Sequence, residues 1–175
     1  MRGSGTTEDK PLHIVSAWAA SQNITLGQLK VDKKSNEITA IPKLLNMIDI
    51  RNCVITTDAM GCQRAIAQQI IDNEADYLLA LKGNQSLMND EVQNYFLQAL
   101  DIDFEGIEHD RYTTIDKGHG RIETRTVYTT ADLEWLPNRD KWPNLSSIIM
   151  IVSERIIGEK SSKELRFYIS SLAPL

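Results

Sequence analysis

The chain has 175 residues, 42% of them hydrophobic, which is enough to build the core of one domain or one and a half. A net charge of −5 argues against a protein that grips nucleic acid through a general basic balance, while leaving room for local basic patches. Two cysteines, Cys53 and Cys62, are too few for a disulfide framework or a zinc cage, and no apolar run approaches the ~20 residues of a membrane span.

Residues 1–11 are polar and glycine-rich and are expected to form a disordered lead-in. They lack the apolar segment of a signal peptide. With reduced, packed cysteines, that places the chain in the cytoplasm. Residues 12–20 and 24–31 read as two strands of an antiparallel hairpin, with Trp18 in its core. A helix begins between positions 36 and 39, with Ile38, Ile41, Leu44, Leu45 and Ile48 on one stripe. Pro42 favours the later start, because proline is tolerated only near a first turn. Residues 53–57 form a short strand whose continuous apolar start predicts burial on both faces. A second helix covers 63–73, with Ile66, Ile70 and Ile71 inward. Residues 77–81 make another buried strand, and Ser86 is placed to cap a third helix carrying Met88, Val92, Tyr95, Phe96, Ala99 and Leu100.

The texture changes after Leu100. Residues 101–108 are an acidic linker. Residues 111–115 and 121–130 form a second hairpin, turned by Lys117-Gly118-His119-Gly120. Residues 132–144 read as a loop anchored by Trp135 and Trp142, and 147–157 and 164–172 as two further strands. The pattern is α/β over the first hundred residues and β-rich over 101–175, a core followed by an insertion or subdomain.

Two places could carry chemistry. In "CVITTDAMGCQ", residues 53–63, a buried strand stops at Asp58. Ligands of open α/β sheets bind at the carboxyl ends of strands. The next strand ends at Lys82, which neighbours Asp58 if the two strands run parallel. A carboxylate beside a lysine at a sheet mouth suits a metal or phosphate site; the plainer reading of Asp58 is a helix N-cap. The second place is "KGHGRIETR", with Lys117, His119, Arg121 and Arg125. Strand alternation puts Arg121, Glu123 and Arg125 on one face, where arginines could grip phosphates. A solvated edge hairpin is the alternative.

The runs "KSNEITAIPKLLNMIDI" (34–50), "ITTDAMGCQ" (55–63), "YLLALKGNQ" (77–85), "HGRIETR" (119–125) and "RFYISSL" (166–172), in this order, closely resemble the H-repeat-associated proteins, bacterial insertion-sequence transposases of the DDE type. The resemblance implies an RNase H-like core in which three carboxylates hold two Mg²⁺ or Mn²⁺ ions. Two such ions, roughly 3.5–4 Å apart, activate the attacking oxygen and stabilise the leaving one in phosphodiester cleavage and strand transfer. It implies insertion-sequence ends and target DNA as partners, with a second protomer possible. Asp58 corresponds to the family's second acid. Lys82, Lys117, His119, Arg121 and Arg125 are candidates for contact with the DNA backbone.

The family's first acid lies in a strand ending D-G-K-T-x-R-G-S, of which only Arg2-Gly3-Ser4 stands here. Its third acid lies in a motif H-W-x-x-E-N that follows the Tyr-Ile-Ser-Ser strand, beyond Leu175. The expectation is therefore a partial RNase H-like core over 12–100 that lacks its first strand, a β-rich insertion over 101–175, and no activity from this chain alone. A gap or poorly paired edge is expected beside residues 53–57. A non-catalytic piece that binds DNA or pairs with a transposase protomer is the competing expectation.

Overall fold

The computed structural model describes residues 13–31, 37–118 and 120–174; residues 1–11 and His119 lie outside them. The chain divides into two compact units, 1–49 and 50–175.

In the first unit, β1 (His13–Ala19) pairs antiparallel with β2 (Ile24–Val31), and α1 spans Glu37–Leu45. Leu44 packs on the hairpin at Gly27, where an added Cβ would come 3.1 Å from Leu44 Cδ1. Two expectations need correction. Trp18 is 58% exposed rather than core, because a two-stranded ribbon shelters only alternate side chains. Pro42 lies in the second turn of α1, not the first, where it removes one i→i−4 backbone bond.

The second unit is built on one six-stranded sheet in the order β3-β4-β8-β7-β6-β5. Its strands are β3 (Val54–Thr57), β4 (Asp76–Leu81), β5 (Asp110–Gly118), β6 (Arg121–Thr130), β7 (Ser147–Ile157) and β8 (Lys160–Ser170). β3 and β4 run parallel, joined by α2 (Arg64–Asp72); the other pairs are antiparallel. α3 (Ser86–Asp101) follows β4. This α/β arrangement has one well-covered sheet face. Tyr77, Leu79, Ile148, Met150 and Ile169 are fully buried there with Ile66 and Ile70 of α2 and Val92 and Phe96 of α3. Phe96 lies 6.3 Å from Phe167 of β8, centroid to centroid. Burial of side chains this size stabilises by about 1.5–3 kcal/mol each.

β3 is an edge strand with a partner on one side only among the described residues. Val54 is 49% exposed, which corrects the expectation of burial on both faces. Ser86 is the first residue of α3 and not its cap; a 3₁₀ turn, Gly83–Gln85, precedes it. The linker after α3 is a run of turns in which Phe104, with a φ of 59°, is buried and stacks on Tyr128 at 4.8 Å. Trp142 anchors its loop as expected, at 3% exposure, and Trp135 stacks on Tyr95 at 4.4 Å. No helix among the described residues is long and apolar enough to cross a membrane.

Candidate functional site

The parallel pairing of β3 with β4 brings the two sheet-mouth motifs side by side. Asp58 follows the last residue of β3, is exposed, and caps a 3₁₀ turn, Ala59–Gly61. Its Oδ1 accepts the Met60 N–H at 3.0 Å. The local N-cap geometry is thus the one seen, and the carboxylate keeps its face to solvent. The turn is tight for a reason in the sequence. A Cβ on Gly61 would sit 2.5 Å from Thr57 Oγ1, so only glycine lets the turn fold back on the strand end.

The loop after β4 braces this turn. Asn84 Nδ2 donates to the Ala59 carbonyl, and Gln85 Nε2 donates to the Cys62 carbonyl at 3.0 Å. Two side-chain amides from one strand end therefore hold the backbone of the other. Cys62 is fully buried beneath them, and burial pushes its thiol pKa up to about 12, so it is an inert packing thiol. Lys82 is exposed just after β4, which runs two residues past the end of its shared register with β3. The described residues show no ion pair between Lys82 and Asp58.

β4 is itself locked from the far end of the chain. Ser171 Oγ accepts the Tyr77 N–H at 2.9 Å and donates to Asp76 Oδ1 at 2.7 Å, while Ser170 Oγ donates to the Tyr77 carbonyl at 2.8 Å. The strand that carries the loop bracing Asp58 is thereby fixed at its entry as well as along its length.

The second candidate patch divides. Arg121 and Arg125 share a face of β6 with Glu123, as alternation predicts, but both are engaged by that carboxylate. Arg125 Nη2 lies 2.9 Å from Glu123 Oε2, and Arg121 Nε 3.6 Å from Oε1. Arg155 of β7, directly opposite Glu123 in register, closes the cluster at 2.7 Å. Against the opposing effect of its own desolvation, Arg121, Arg155 and Arg125 hold the Glu123 carboxyl below the usual carboxylate range. Lys117 pairs with Ile122 and so lies on the other face of the hairpin. Arg155 was missed in the sequence because a cross-strand partner 32 positions away shows only once register is known.

Residues 4–163 match the family model described as the transposase DDE domain. The chain belongs to this family. It is 40% identical over 162 residues to an uncharacterised protein in the dhlA 3′ region of Xanthobacter autotrophicus, covering 93% of this chain and 54% of that protein. It is 42% identical over 167 residues to YhhI of Escherichia coli strain K12, named as a candidate H repeat-associated transposase, covering 91% and 43%. YbfD of the same strain, named likewise, is 49% identical over 115 residues, covering 65% and 44%. The resemblance read from the motifs therefore stands, and the chain spans about half the length of the curated relatives it matches.

The DDE family implies divalent metal held by carboxylate oxygens, a donor type that Asp58 offers in the open. Among the described residues no group of three or more His, Cys, Asp or Glu gathers that could hold an ion. They supply one fitting ligand at this sheet end, not a complete site.

Proposed function

We propose that this chain is the middle part of an RNase H-like DDE transposase, and that Asp58 is the second of its three metal-binding carboxylates. The observation that carries the reading is the family match together with an exposed carboxylate at the carboxyl end of a parallel strand pair. In the complete enzyme, Mg²⁺ or Mn²⁺ held there would supply Lewis-acid activation for phosphodiester cleavage and strand transfer at insertion-sequence ends. The chain's own residues do the positioning: Met60 N–H orients the carboxylate, and Asn84 and Gln85 fix the turn beneath it. Lys82, Lys117, His119, Arg121 and Arg125 are the candidates for the DNA backbone, Lys117 from the other face of the hairpin and Arg121 and Arg125 only through the half of each side chain that stays exposed beside Glu123, with a second protomer as a further partner, in a bacterial cytoplasm. The division into a partial core over 12–100 and a β-rich insertion over 101–175 belongs to this proposal; in the fold itself the two share one sheet, where β4 pairs with β8, and the compact units divide at 49/50.

The second reading is a piece without chemistry that binds DNA or pairs with a transposase. It is favoured by the lack, among the described residues, of a group of three or more possible metal ligands, and by β3, whose second side carries no partner among those residues and invites another strand.

Paramagnetic Mn²⁺ separates the two. Added to ¹⁵N-labelled chain, it should broaden the amide signals of Asp58, Ala59, Met60 and Gly61 first, and Asp58→Asn should abolish that preference. Broadening spread over the acidic surface and unchanged in Asp58→Asn would remove Asp58 from the metal.

A further inference from the structure

The strands β6, β7 and β8 run past the sheet mouth. β4 pairs with β8 only over Phe167–Ser170, while β8 stays paired with β7 back to Lys160. The stretch beyond the mouth is an arm of the sheet, and strand alternation sorts its side chains onto two faces. Arg166 stands opposite Ile151, Glu164 opposite Ser153, Ser153 opposite Arg125, and Arg155 opposite Glu123. Phe167, the next residue after Arg166, is buried and stacks on Phe96 of α3, so Arg166 and its row face away from the helices. Lys82 joins this row, because Leu81 is opposite Phe167 in register and Lys82 falls in step with Arg166. Glu164 reports the same placement. Hydrogen bonding from Arg166 holds its carboxyl below the usual carboxylate range against its own desolvation, and the charges of Arg166, Lys82 and Arg155 add to that effect.

This face carries a positive surplus. Lys82, Arg121, Arg125, Arg155 and Arg166 meet three carboxylates along it, Asp116, Glu123 and Glu164, on a chain whose net charge is −5. The carboxylates grip the arginines from one side only. Arg155 and Arg166 each turn Nε and Nη2 to a glutamate, at 2.7 to 3.0 Å. No carboxylate among the described residues meets Nη1 of either, and about half of each side chain stays exposed. A guanidinium held in this way is a fixed fork with donors to spare, which suits a phosphate oxygen. An open cavity of about 190 Å³ lies among them, lined by Arg125, Arg155 and Arg166 and by Glu123, Glu154 and Glu164. Glu154 is answered by Lys163 at 3.4 Å.

We propose that Arg155 and Arg166 contact DNA, forming with Arg125 and Lys82 a basic row across four adjacent strands that takes the sugar–phosphate backbone of the duplex presented to Asp58. That the partner is DNA rests on the proposed function. The row begins at Lys82, just past the strand that pairs with the one Asp58 follows. Strand spacing puts its outer members about 14 Å apart, the length of about four phosphates along one strand of a duplex. Contacts of this kind set the position and direction of the duplex without reading its sequence.

The test is fluorescence anisotropy of a labelled duplex of mixed sequence, titrated with the 175-residue chain over a series of salt concentrations. Arg155→Gln with Arg166→Gln should lower the slope of log K against log salt by about two, and should cost roughly tenfold in affinity per arginine at about 0.1 M salt. Arg155→Lys with Arg166→Lys keeps the charges and should keep most of the slope. Lys43→Gln with Arg139→Gln removes the same charge outside the sheet and should leave the slope within about half a unit of the parent. An unchanged slope in the Arg155→Gln, Arg166→Gln chain overturns the row while DNA binding itself survives. An equal loss in the Lys43→Gln, Arg139→Gln chain also overturns it, since the effect is then one of net charge. If the glutamine pair fails to fold, a lysine pair that folds and loses the slope overturns it as well. Failure of the parent to bind the duplex overturns the row outright, and the metal reading of Asp58 is then judged separately by Mn²⁺ broadening.

Discussion

Gly61→Ala is the sharpest probe of how the sheet mouth is built. An added Cβ would meet Thr57 Oγ1 at 2.5 Å, Thr57 Cβ at 2.6 Å and Thr57 Cγ2 at 3.0 Å. All three distances lie well inside van der Waals contact, and one is to a Cβ that no rotamer change can move. Thr57 is held in register against Leu79 of β4, so either the strand end or the turn must give. Overpacking of this kind costs about 1–3 kcal/mol. At about 3–6 °C per kcal/mol for a unit of this size, Tm should fall by roughly 3–18 °C. Circular dichroism melts measure this directly. Thr57→Ala in the Gly61→Ala background removes Oγ1 and Cγ2 but keeps the 2.6 Å contact, so it should restore only part of the loss. Amide shifts in the variant should be largest from Asp58 to Cys62, because Asp58 caps the turn that moves. A Gly61→Ala chain melting within about 1 °C of the parent would refute the claim that this close approach fixes the turn.

Two further predictions concern what holds the sheet. Glu123→Gln should lower stability at neutral pH. The folded carboxyl titrates below its unfolded value of about 4.3, so its contribution is fully present above that pH and is lost as pH falls through the folded value. The gap between parent and variant should therefore close in acid; an equal gap at pH 3 and pH 7 would contradict the arginine clamp. Ser171→Ala leaves the buried Tyr77 N–H without its acceptor, and urea unfolding should show a loss of about 1–3 kcal/mol. An unchanged midpoint would mean that β4 is not locked by the chain's far end.

Much of this was legible in local sequence. The strand and helix order followed from hydrophobic period, and the sharp turn at Asp58 from a small-residue run after a β-branched one. What escaped was set by distant parts of the chain. The run Cys53–Ile55 reads as buried on both faces whether or not anything covers the second face, and among the described residues β3 is an edge with Val54 49% exposed. Trp18 reads as core by hydropathy, but a two-stranded ribbon leaves its face open. The arginines of β6 look free for phosphate until the register of β6 on β7 sets Arg155 opposite Glu123 and draws three guanidiniums onto one carboxylate. Lys117 sits within four residues of Arg121 in sequence, yet strand pairing sends it to the opposite face. Asn84 and Gln85 carried a signal that could have been read: paired amides straight after a strand are well placed to satisfy the carbonyls of a neighbouring turn.

The central claim is that Asp58 is a metal ligand for DNA cleavage, and a cleavage assay tests it most directly. The chain is extended to the full length of its relatives and given Mg²⁺ and a duplex carrying insertion-sequence ends. Asp58→Asn should keep the melting temperature and end-binding of the parent and lose strand cleavage, because the site loses one of its few anionic oxygens. Cleavage by Asp58→Asn at near the parental rate would contradict the account.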